Sequence, residues 1–423
     1  MVKNIIKKKR LLFIPVITTL FFLLVSCNDE PTFMGSSLLL DTIAIKSIST
    51  DSTTLITDSK SFIHRLEIFN SGAMFVGKSN DVIAISMLRF SGIPDTLDNI
   101  TEADIDSVTL TLPLLRYAYG DLSNQTALSF KVYKIVKYWT NQSNWDTLFP
   151  TGSQTTEYFD YTKVLGTFTG SIDQNAPDSA FSPISIQLDK LLIAEWFKLA
   201  SDTTTVGTIW GIALVPDDNS SVIRSLSSQS LQDTRVHPYI RTAYRRTQDT
   251  LDTLILTSAI DASVTNSNPP DEKSLTIQGV VSSRFKLGFD VSSIPDEAAI
   301  HIAELDLYLD TSISNYGNFN PDSTVVTRLY IDSTYSSYLY YYYGGNDTTL
   351  KPDLFRFPEI TSAVQYWVTH GKKGELVFLP EGINNEYREL DKLVFRGIND
   401  PDPAKRPALR IIYSTRPKTK CNP

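Results

Sequence analysis

A run of tyrosines provides the residues best suited to binding a ligand. Residues 335–345 place Tyr338, Tyr340 and Tyr342 at every second position. Alternate side chains of a strand point to opposite faces, so some of these rings must face outward or lie beneath a neighbour. An exposed tyrosine ring can stack on a sugar ring while its hydroxyl bonds sugar hydroxyls. With Trp145, the run indicates a polysaccharide-binding surface; the alternative is a hairpin half-buried against its own module.

Residues 72–79 match the G-x-x-x-x-G-K-[ST] pattern of nucleotide-binding loops. Such a loop follows a buried strand and opens a helix, so that backbone amides surround the phosphates. Here Asn80-Asp81 predicts a turn, and the residues after it alternate as in a strand. The match is therefore predicted to be a strand entering a turn, and no nucleotide is expected as a partner.

Patterns for catalysis and metal binding are weak. The four histidines lie far apart without metal-ligand spacing, and there is neither a G-x-S-x-G motif nor a Cys–His pairing. Among 47 acidic residues, no carboxylate pair of the kind glycosidases use can be singled out. Asp-rich turns at residues 217–219 and 399–402 carry oxygen ligands that Ca²⁺ prefers, although turn chemistry alone explains them. We expect no catalytic residue, no cofactor and no metal.

The N-terminus carries an export signal. Basic residues within positions 1–10 precede an apolar run over residues 11–25. That run is shorter than the roughly 20 apolar residues of a membrane span and matches the hydrophobic region of a signal peptide. Residues 24–27, Leu-Val-Ser-Cys, resemble the lipobox of bacterial lipoproteins, which implies cleavage before Cys27 and lipidation of its thiol. The alternative is an uncleaved N-terminal anchor.

Charge and cysteine content agree with an exported protein. Removing residues 1–26 lowers the formal charge from −8 to −13, and an acidic protein repels phosphate backbones, so no nucleic-acid partner is expected. Apart from Cys27 the only cysteine is Cys421, so no disulfide framework supports the fold. Asn28, Asp29 and Glu30 resemble a signal for the outer face of the outer membrane; a solvated tether is the alternative. We expect a lipid-anchored protein of the outer membrane that faces the cell exterior.

Two near-copies of one pattern organise the chain. Residues 88–94 are echoed by residues 287–295, each with Leu-x-Phe followed by Ile-Pro. Each copy continues with an alternating run, an amphipathic segment that carries a tryptophan (residues 187–200 and 360–371), a strand led by glycine and a closing strand. Period-two alternation, as in residues 84–90, marks the strands.

This order of elements predicts an all-β protein of two tandem, jelly-roll-like antiparallel β-sandwiches, each with one short capping helix. The expected division is a signal peptide at 1–26, an acidic tether at 27–50, module one at 51–246, module two at 249–415 and a disordered tail at 416–423. Between equivalent anchors module one is longer by about 30 residues, within residues 145–183. Long loops on a β scaffold often carry binding residues, so function is expected there first.

The order of elements also resembles the DNRLRE-type domain, a β-sandwich grouped with carbohydrate-binding module family 96. The resemblance covers most of residues 51–415 and is closest in module two. It is carried by Leu88-Arg89-Phe90 with Ile93-Pro94, by Trp139-Thr140 with Trp145, by T-x-A-V-Q-x-W within residues 360–371 and by R-P-x-L-x-x-x-Y within residues 406–413. These motifs are structural. The resemblance implies polysaccharide binding for some members, and it assigns no binding residue.

The sequence thus predicts a non-catalytic, surface-exposed lipoprotein that binds polysaccharide or another cell-envelope ligand. Its candidate ligand-binding residues are Tyr338, Tyr340, Tyr342 and Trp145, and Cys27 bears the lipid. Two alternatives remain open: a structural or assembly protein that binds other outer-membrane proteins, and a glycoside-cleaving enzyme. Expected partners are the membrane, through the N-terminal lipid, a polysaccharide and an outer-membrane protein.

Replacing Cys27 with Ala should leave the protein without an acyl chain, because the thiol is the atom that would accept the diacylglycerol. Each methylene of that chain contributes about 0.8 kcal/mol to membrane binding. Metabolic labelling with a fatty-acid analogue is expected to mark the wild-type protein and the Cys421→Ala control, but not Cys27→Ala. Unchanged labelling of Cys27→Ala would overturn the lipobox interpretation.

Overall fold

In the computed structural model of the protein, antiparallel strands are the main secondary structure, as the alternation predicts. The structure describes residues 43–69, 71–79, 82–123, 127–150, 155–171, 183–247, 250–268, 270, 274–319, 324–347, 351–380 and 386–416. These residues contain 22 strands and three α-helices of four or more residues, with a further helical turn at residues 386–388. Two eleven-stranded sheets form two β-sandwiches, which confirms the all-β fold class.

The first thirteen strands are β1 (Ala44–Ser49), β2 (Ile56–Ile63), β3 (Ala73–Ser79), β4 (Val82–Phe90), β5 (Ile105–Gly120), β6 (Ala127–Ile135), β7 (Phe159–Asp160), β8 (Gly166–Ser171), β9 (Pro183–Gln187), β10 (Ile212–Pro216), β11 (Val222–Ser227), β12 (Tyr239–Thr247) and β13 (Thr250–Asn266). The remaining nine are β14 (Leu275–Gln278), β15 (Ser283–Asp290), β16 (Ala299–Tyr308), β17 (Thr324–Tyr330), β18 (Tyr338–Asp347), β19 (Lys351–Phe357), β20 (Lys373–Pro380), β21 (Lys392–Phe395) and β22 (Ala408–Thr415). The helices are α1 (Trp145–Leu148), α2 (Lys190–Ala200) and α3 (Thr361–Thr369).

The second sandwich is one sheet that curls on itself. Its strands follow the order β1-β22-β16-β19-β18-β17-β20-β15-β14-β21, with β2 beside β15. Three strand spacings, about 14 Å, separate β19 from β20 within the sheet. The ring centroids of Phe357 and Phe378 nevertheless lie only 5.3 Å apart, so the sheet folds over between these strands. Its two halves enclose a core that includes Leu287, Leu305 and Ile411.

The first sandwich closes because two long strands change partners midway. The 16-residue β5 pairs with β12 and β9 through its first half and with β11 through its second half. The 17-residue β13 pairs first with β12 and then with β4. The path β13-β12-β5-β11-β3-β4 therefore returns to β13. Its core includes Leu110, Phe130 and Trp196.

Strand pairing does not follow chain order. β1 and β2 precede the first sandwich in sequence, yet β1 pairs with β22 and β2 pairs with β15. Both strands therefore complete the second sandwich. The first sandwich is in turn completed by β13, which lies beyond the division expected at residues 246–249 and pairs with β12 and β4. Alternation along a strand indicates which face is buried but not which strand lies beside it.

A buried interface joins the two sandwiches. The hydroxyl of Tyr117 in β5 donates to Oδ1 of Asp391 at 2.6 Å and accepts from the backbone N–H of Leu390 at 2.6 Å. Burial raises the pKa of the Asp391 carboxyl and raises the pKa of Tyr117 well above its ordinary value, with Asp391 adding to the effect. Apolar residues from both sandwiches, among them Phe75 and Val280, surround this contact. The interface is thus an apolar cluster that also contains hydrogen-bonded polar groups.

The predicted tryptophan helix of each sandwich packs against the strand that carries the Leu-x-Phe motif. Trp196 of α2 lies 6.1 Å from Phe90, measured between ring centroids. Trp367 of α3 stacks on Phe289 at 4.8 Å. Phe90 and Phe289 end the two Leu-x-Phe motifs. The motif and the helix recur together because the tryptophan of one packs against the phenylalanine of the other.

Two glycines, Gly211 before β10 and Gly374 in β20, lie at close contacts with neighbouring elements. A Cβ on Gly211 would lie 1.9 Å from the carbonyl oxygen of Leu88, and the backbone φ of Gly211 is +91°. A Cβ on Gly374 would lie 1.8 Å from Nε1 of Trp367. Neither position can hold a side chain without displacing a strand or a helix.

Gly211→Ala should lower the free energy of unfolding by about 3 kcal/mol, because the left-handed backbone and the overlap with Leu88 are each unfavourable. Gly207→Ala is the matched control, since a Cβ there meets nothing within 4 Å, and its stability should change by at most about 0.5 kcal/mol. Urea unfolding followed by tryptophan fluorescence measures both values. Equal stabilities of the two variants would contradict the close approach of β10 to β4.

Candidate functional site: the outer face of the second sandwich

The outer face is the surface of strands β18, β17, β20, β15 and β2 that points away from the core. Residues directly opposite each other in an antiparallel pair share a face. One row across these strands consists of Tyr341, Arg328, Val377, Lys286 and Lys60. The next residues along three of the strands, Tyr342, Leu329 and Leu287, belong to the core, so the row itself points outward.

Seven rings form a continuous aromatic cluster on this face: Phe62, His64, Tyr330, Tyr335, Tyr338, Tyr341 and Tyr343. Tyr335 stacks on Phe62 at 5.3 Å and meets the edge of His64 at 6.4 Å. Successive centroid distances are 5.4 Å from Tyr335 to Tyr330, 6.3 Å from Tyr330 to Tyr338, 6.0 Å from Tyr338 to Tyr341 and 5.6 Å from Tyr341 to Tyr343. The cluster therefore crosses the face from β2 to β18. Tyr341 and Tyr343 are 53% and 52% exposed.

The turn between β17 and β18 carries Tyr335 across the face. The carboxylate of Asp332 accepts from the backbone N–H groups of Thr334 and Ser337, at 2.9 and 3.1 Å. Hydrogen bonds, first of all from the Thr334 hydroxyl, lower the pKa of Asp332. Tyr335 itself has a φ of +58°, a conformation that is unfavourable for a bulky residue. The acidic cap and the ring contacts hold this turn in place.

Charged groups lie among the rings. The guanidinium of Arg328 lies 4.7 Å from the centre of the Tyr338 ring, a cation–π geometry. Lys286 forms an ion pair with Glu375, and this hydrogen bond is the main reason that the pKa of Lys286 is raised. The face therefore combines aromatic surface with hydrogen-bond donors.

Two ionisable side chains border the cluster beside the first sandwich. Arg284 and Glu386 form a buried ion pair at 2.7 Å. Burial, followed by the charge of Arg284, lowers the pKa of His64 to about 4. His64 is therefore a neutral ring at physiological pH.

The structure separates the four residues predicted to bind a ligand. Tyr338 belongs to the aromatic cluster. Tyr340 and Tyr342 point to the other side of β18, where Tyr342 is buried and its hydroxyl lies 2.6 Å from that of Ser362. Trp145 is in the first sandwich, 8% exposed and stacked on Phe149 at 4.2 Å. The faces of Tyr342 and Trp145 are thus engaged by the protein itself.

A β-bulge decides which tyrosines share a face. The register between β17 and β18 shifts at Leu329 and Tyr330, so Tyr338 lies on the side of Tyr341 and Tyr343 rather than with Tyr340. The sequence prediction assumed unbroken alternation and therefore missed Tyr341 and Tyr343, although both stand in the same run. Phe62 and His64 were missed for another reason, because their strand lies more than 200 positions earlier in the chain.

The first sandwich has an equivalent outer face, and there the face is covered. Leu88 pairs with Ile212 just as Leu287 pairs with Leu376. The row equivalent to Arg328, Val377, Lys286 and Lys60 is therefore Tyr133, Ala213, Met87 and Ala262. These four are buried in one cluster with Trp145, Phe149 and Phe159. The described part of the insertion within residues 145–183 thus packs onto its own sheet.

The remaining motifs have structural roles. Residues 73–79 of the nucleotide-loop match form β3, which is followed by β4 rather than by a helix. The Asp-rich turns bond internally: Asp217 accepts from the N–H of Asn219 at 2.9 Å, and Asp400 accepts from the N–H of Asp402 at 2.9 Å. Among the described residues, no three His, Cys, Asp or Glu side chains are placed to share a metal ion. Within the same residues, no helix is both long and apolar enough to span a bilayer.

Comparison with known proteins identifies no family for this chain. No protein-family model matches it, and no curated protein matches it. Among solved structures, the VP2 subviral particle of infectious bursal disease virus is 12% identical, with 86% of this chain and 77% of that chain covered and a TM-score of 0.14. The structure of the Gt strain of the same virus is 10% identical, covers 86% and 79% of the two chains and has a TM-score of 0.15. Such low scores support no argument about fold or function, and the resemblance to the DNRLRE-type domain stays a prediction.

His64 should make stability depend on pH. The unfolded chain binds a proton at this residue near pH 6.5, whereas the folded chain does so only near pH 4. Between these values the unfolded state holds more protons, so the folded state loses stability as the pH falls from 6.5 to 4. Urea unfolding at several pH values should show wild-type protein losing stability relative to His64→Asn over this range. Parallel curves for the two proteins would contradict the buried, neutral state of His64.

Proposed function

We propose that this protein is a non-catalytic, surface-exposed lipoprotein that binds polysaccharide or another cell-envelope ligand on the outer face of its second sandwich. One observation carries the proposal. Two equivalent sheets present equivalent faces, yet one is covered by an apolar insertion and the other carries an exposed aromatic cluster with charged groups. Exposed aromatic rings that gather in one place are a feature of binding surfaces.

The chemistry of the cluster suits a sugar chain. Tyrosine presents an apolar ring face together with a hydroxyl, and a sugar ring likewise has an apolar face and a rim of hydroxyls. Arg328, Lys286 and Lys60 add hydrogen-bond donors in the same row. A ligand lying along this face would contact rings from β2 to β18. Such an extended contact fits a polymer better than a small metabolite.

A small pocket on the first sandwich is a weaker candidate. It is lined by Lys134, Asp160, Lys163, Leu165, Leu191, Leu192 and Glu195, and its volume is about 60 Å³. Sites for drug-sized ligands measure about 300–1,000 Å³. Lys134 and Glu195 form an ion pair at its wall. The pocket is thus too small for a sugar ring.

One observation favours the alternative, an assembly protein that binds other outer-membrane proteins. The first half of β13 pairs with β12 on one side, and among the described residues no strand pairs with its other side before Ser258. Leu251 and Ile255 are exposed on this edge. An unpaired edge strand can accept a strand from a partner protein. Pull-down of an outer-membrane protein that is lost when this edge is blocked would support this function.

Binding to a glycan array tests the main proposal, with the soluble chain that begins at residue 28. Wild-type protein should bind at least one glycan, and Tyr341→Ala should weaken that binding about tenfold, because the loss of a central aromatic contact costs 1 kcal/mol or more. Tyr138→Ala is the matched control, since Tyr138 is an exposed tyrosine of the first sandwich. Its affinity should equal that of the wild type.

Three outcomes would overturn the proposal. Absence of any glycan ligand, combined with capture of an outer-membrane protein, would favour the assembly function. Equal loss of affinity in Tyr341→Ala and Tyr138→Ala would place the binding elsewhere. Release of shortened sugars from a bound glycan would show a glycoside-cleaving enzyme.

A further inference from the structure

The second sandwich has two distinct ends. Val280 and Val281 precede β15 and lie in the interface with the first sandwich. At the other end of the sandwich, β15 finishes at Asp290, which pairs with Lys373. The chain then enters β16 at Ala299. Ala299 pairs with Ser414, near the end of β22. β1 also begins at this end, because Ala44 pairs with Thr415. The chain from the N-terminus therefore enters the second sandwich at the end that lies away from the first sandwich.

An isoleucine patch lies where the chain enters. It consists of Ile43, Ile45, Ile302 and Ile412 on the side of β1, β22 and β16 that points away from the core. Ile412 pairs with both Ser47 and Ile302, and Ile45 pairs with Ser414. Their neighbours along the strands, Ile48 and Ile411, pack in or against the core. Ile43 is 63% exposed and Ile45 is 72% exposed.

Polar residues lie within and beside the patch, with the exposed Lys46 next to Ile45 in β1 and the exposed Arg416 just after β22. Ser47 and Ser414 lie between the isoleucines, and Nε2 of His301 lies 2.8 Å from the Ser414 hydroxyl. On this face the first charged pair across β22 and β16 is Arg410 with Glu304, beyond Ile412. Exposed isoleucines at a sheet edge favour association with some other apolar surface.

We infer that the isoleucine patch rests on the lipid bilayer that holds the acylated Cys27; this inference depends on the lipid anchor of the proposed function. Cys27 precedes Ile43 by 16 positions. A chain of that length spans at most about 55 Å when fully extended, so the anchor holds the patch within that distance of the bilayer. Apolar side chains at the boundary of head groups and acyl chains add to the binding supplied by a lipid.

The orientation that follows places the candidate site in solvent. The patch and the aromatic cluster lie on the two halves of a sheet that folds over, so their outer surfaces face in opposite directions. With the patch on the membrane, the aromatic cluster points away from it. The first sandwich then extends from the far end of the second.

An environment-sensitive fluorophore at two positions tests the inference. In the full lipidated chain with Cys421→Ser, reporter cysteines are introduced as Ser47→Cys beside the patch and as Thr253→Cys on the first sandwich, both at exposed positions. On vesicles of phosphatidylethanolamine and phosphatidylglycerol, the Ser47→Cys reporter should shift its emission to the blue, whereas the Thr253→Cys reporter should not shift. Adding Ile45→Asp and Ile302→Asp should remove the shift while the protein stays bound through its lipid.

Two results would overturn the inference. One is the absence of a difference between the two reporters. The other is a blue shift of the Ser47→Cys reporter in detergent micelles that grows with protein concentration, which would assign the patch to contact with a second copy. Failure of lipidation would be distinguished by loss of both reporters from the vesicle fraction. Failure of glycan binding would leave the reporter result unchanged.

Discussion

The antiparallel pairing of β2 with β15 is the constraint on which the rest of this structure depends. It runs from Ile63 opposite Ser283 to Ile56 opposite Phe289, and it is reinforced where the backbone N–H of Asp290 donates to the carbonyl of Leu55 at 2.9 Å. Leu55 is fully buried in the second core. This pairing attaches the N-terminal strands to the distant second sandwich, so the first sandwich is inserted between strands that belong together. It also brings Phe62 and His64 to the tyrosines of β17 and β18.

A buried ion pair stabilises the segment that connects the candidate site with the interface. Arg284 and Glu386 are each almost inaccessible, and the carboxylate also accepts from the Ser282 hydroxyl at 3.1 Å. Removing charges from water is unfavourable unless the charges are paired and hydrogen-bonded, and here both conditions hold. Four residues later the same segment supplies Leu390 and Asp391 to Tyr117. The border of the aromatic cluster and the contact between the sandwiches thus share one short stretch of chain.

The two copies of the framework share one architecture and differ in what covers their outer faces. In both copies a Leu-x-Phe strand, a glycine-led strand and a tryptophan helix enclose the core. The difference lies on the outer face, where Met87 and Ala213 in one copy correspond to Lys286 and Val377 in the other. In the first copy the insertion packs on the apolar outer face as a third layer, because burying apolar side chains is more favourable than leaving them in water. In the second copy the corresponding face carries charged side chains and exposed tyrosines.

The sequence by itself predicted many of the strands and the two tryptophan helices, because alternation and a helical apolar stripe are local consequences of packing. It also indicated the tyrosine run as a candidate site, and Tyr338 lies in the aromatic cluster. Only the tertiary structure decided which residues join it. Because of the bulge opposite Leu329 and Tyr330, Tyr338 shares a face with Tyr341 and Tyr343 instead of with Tyr340 and Tyr342. Trp145 is buried in the layer that covers the first sandwich. These outcomes depend on strand register and on strand partners that are far apart in the chain. The alternation of a strand stays the same whichever partner it pairs with, so the sequence pattern alone does not specify the partner.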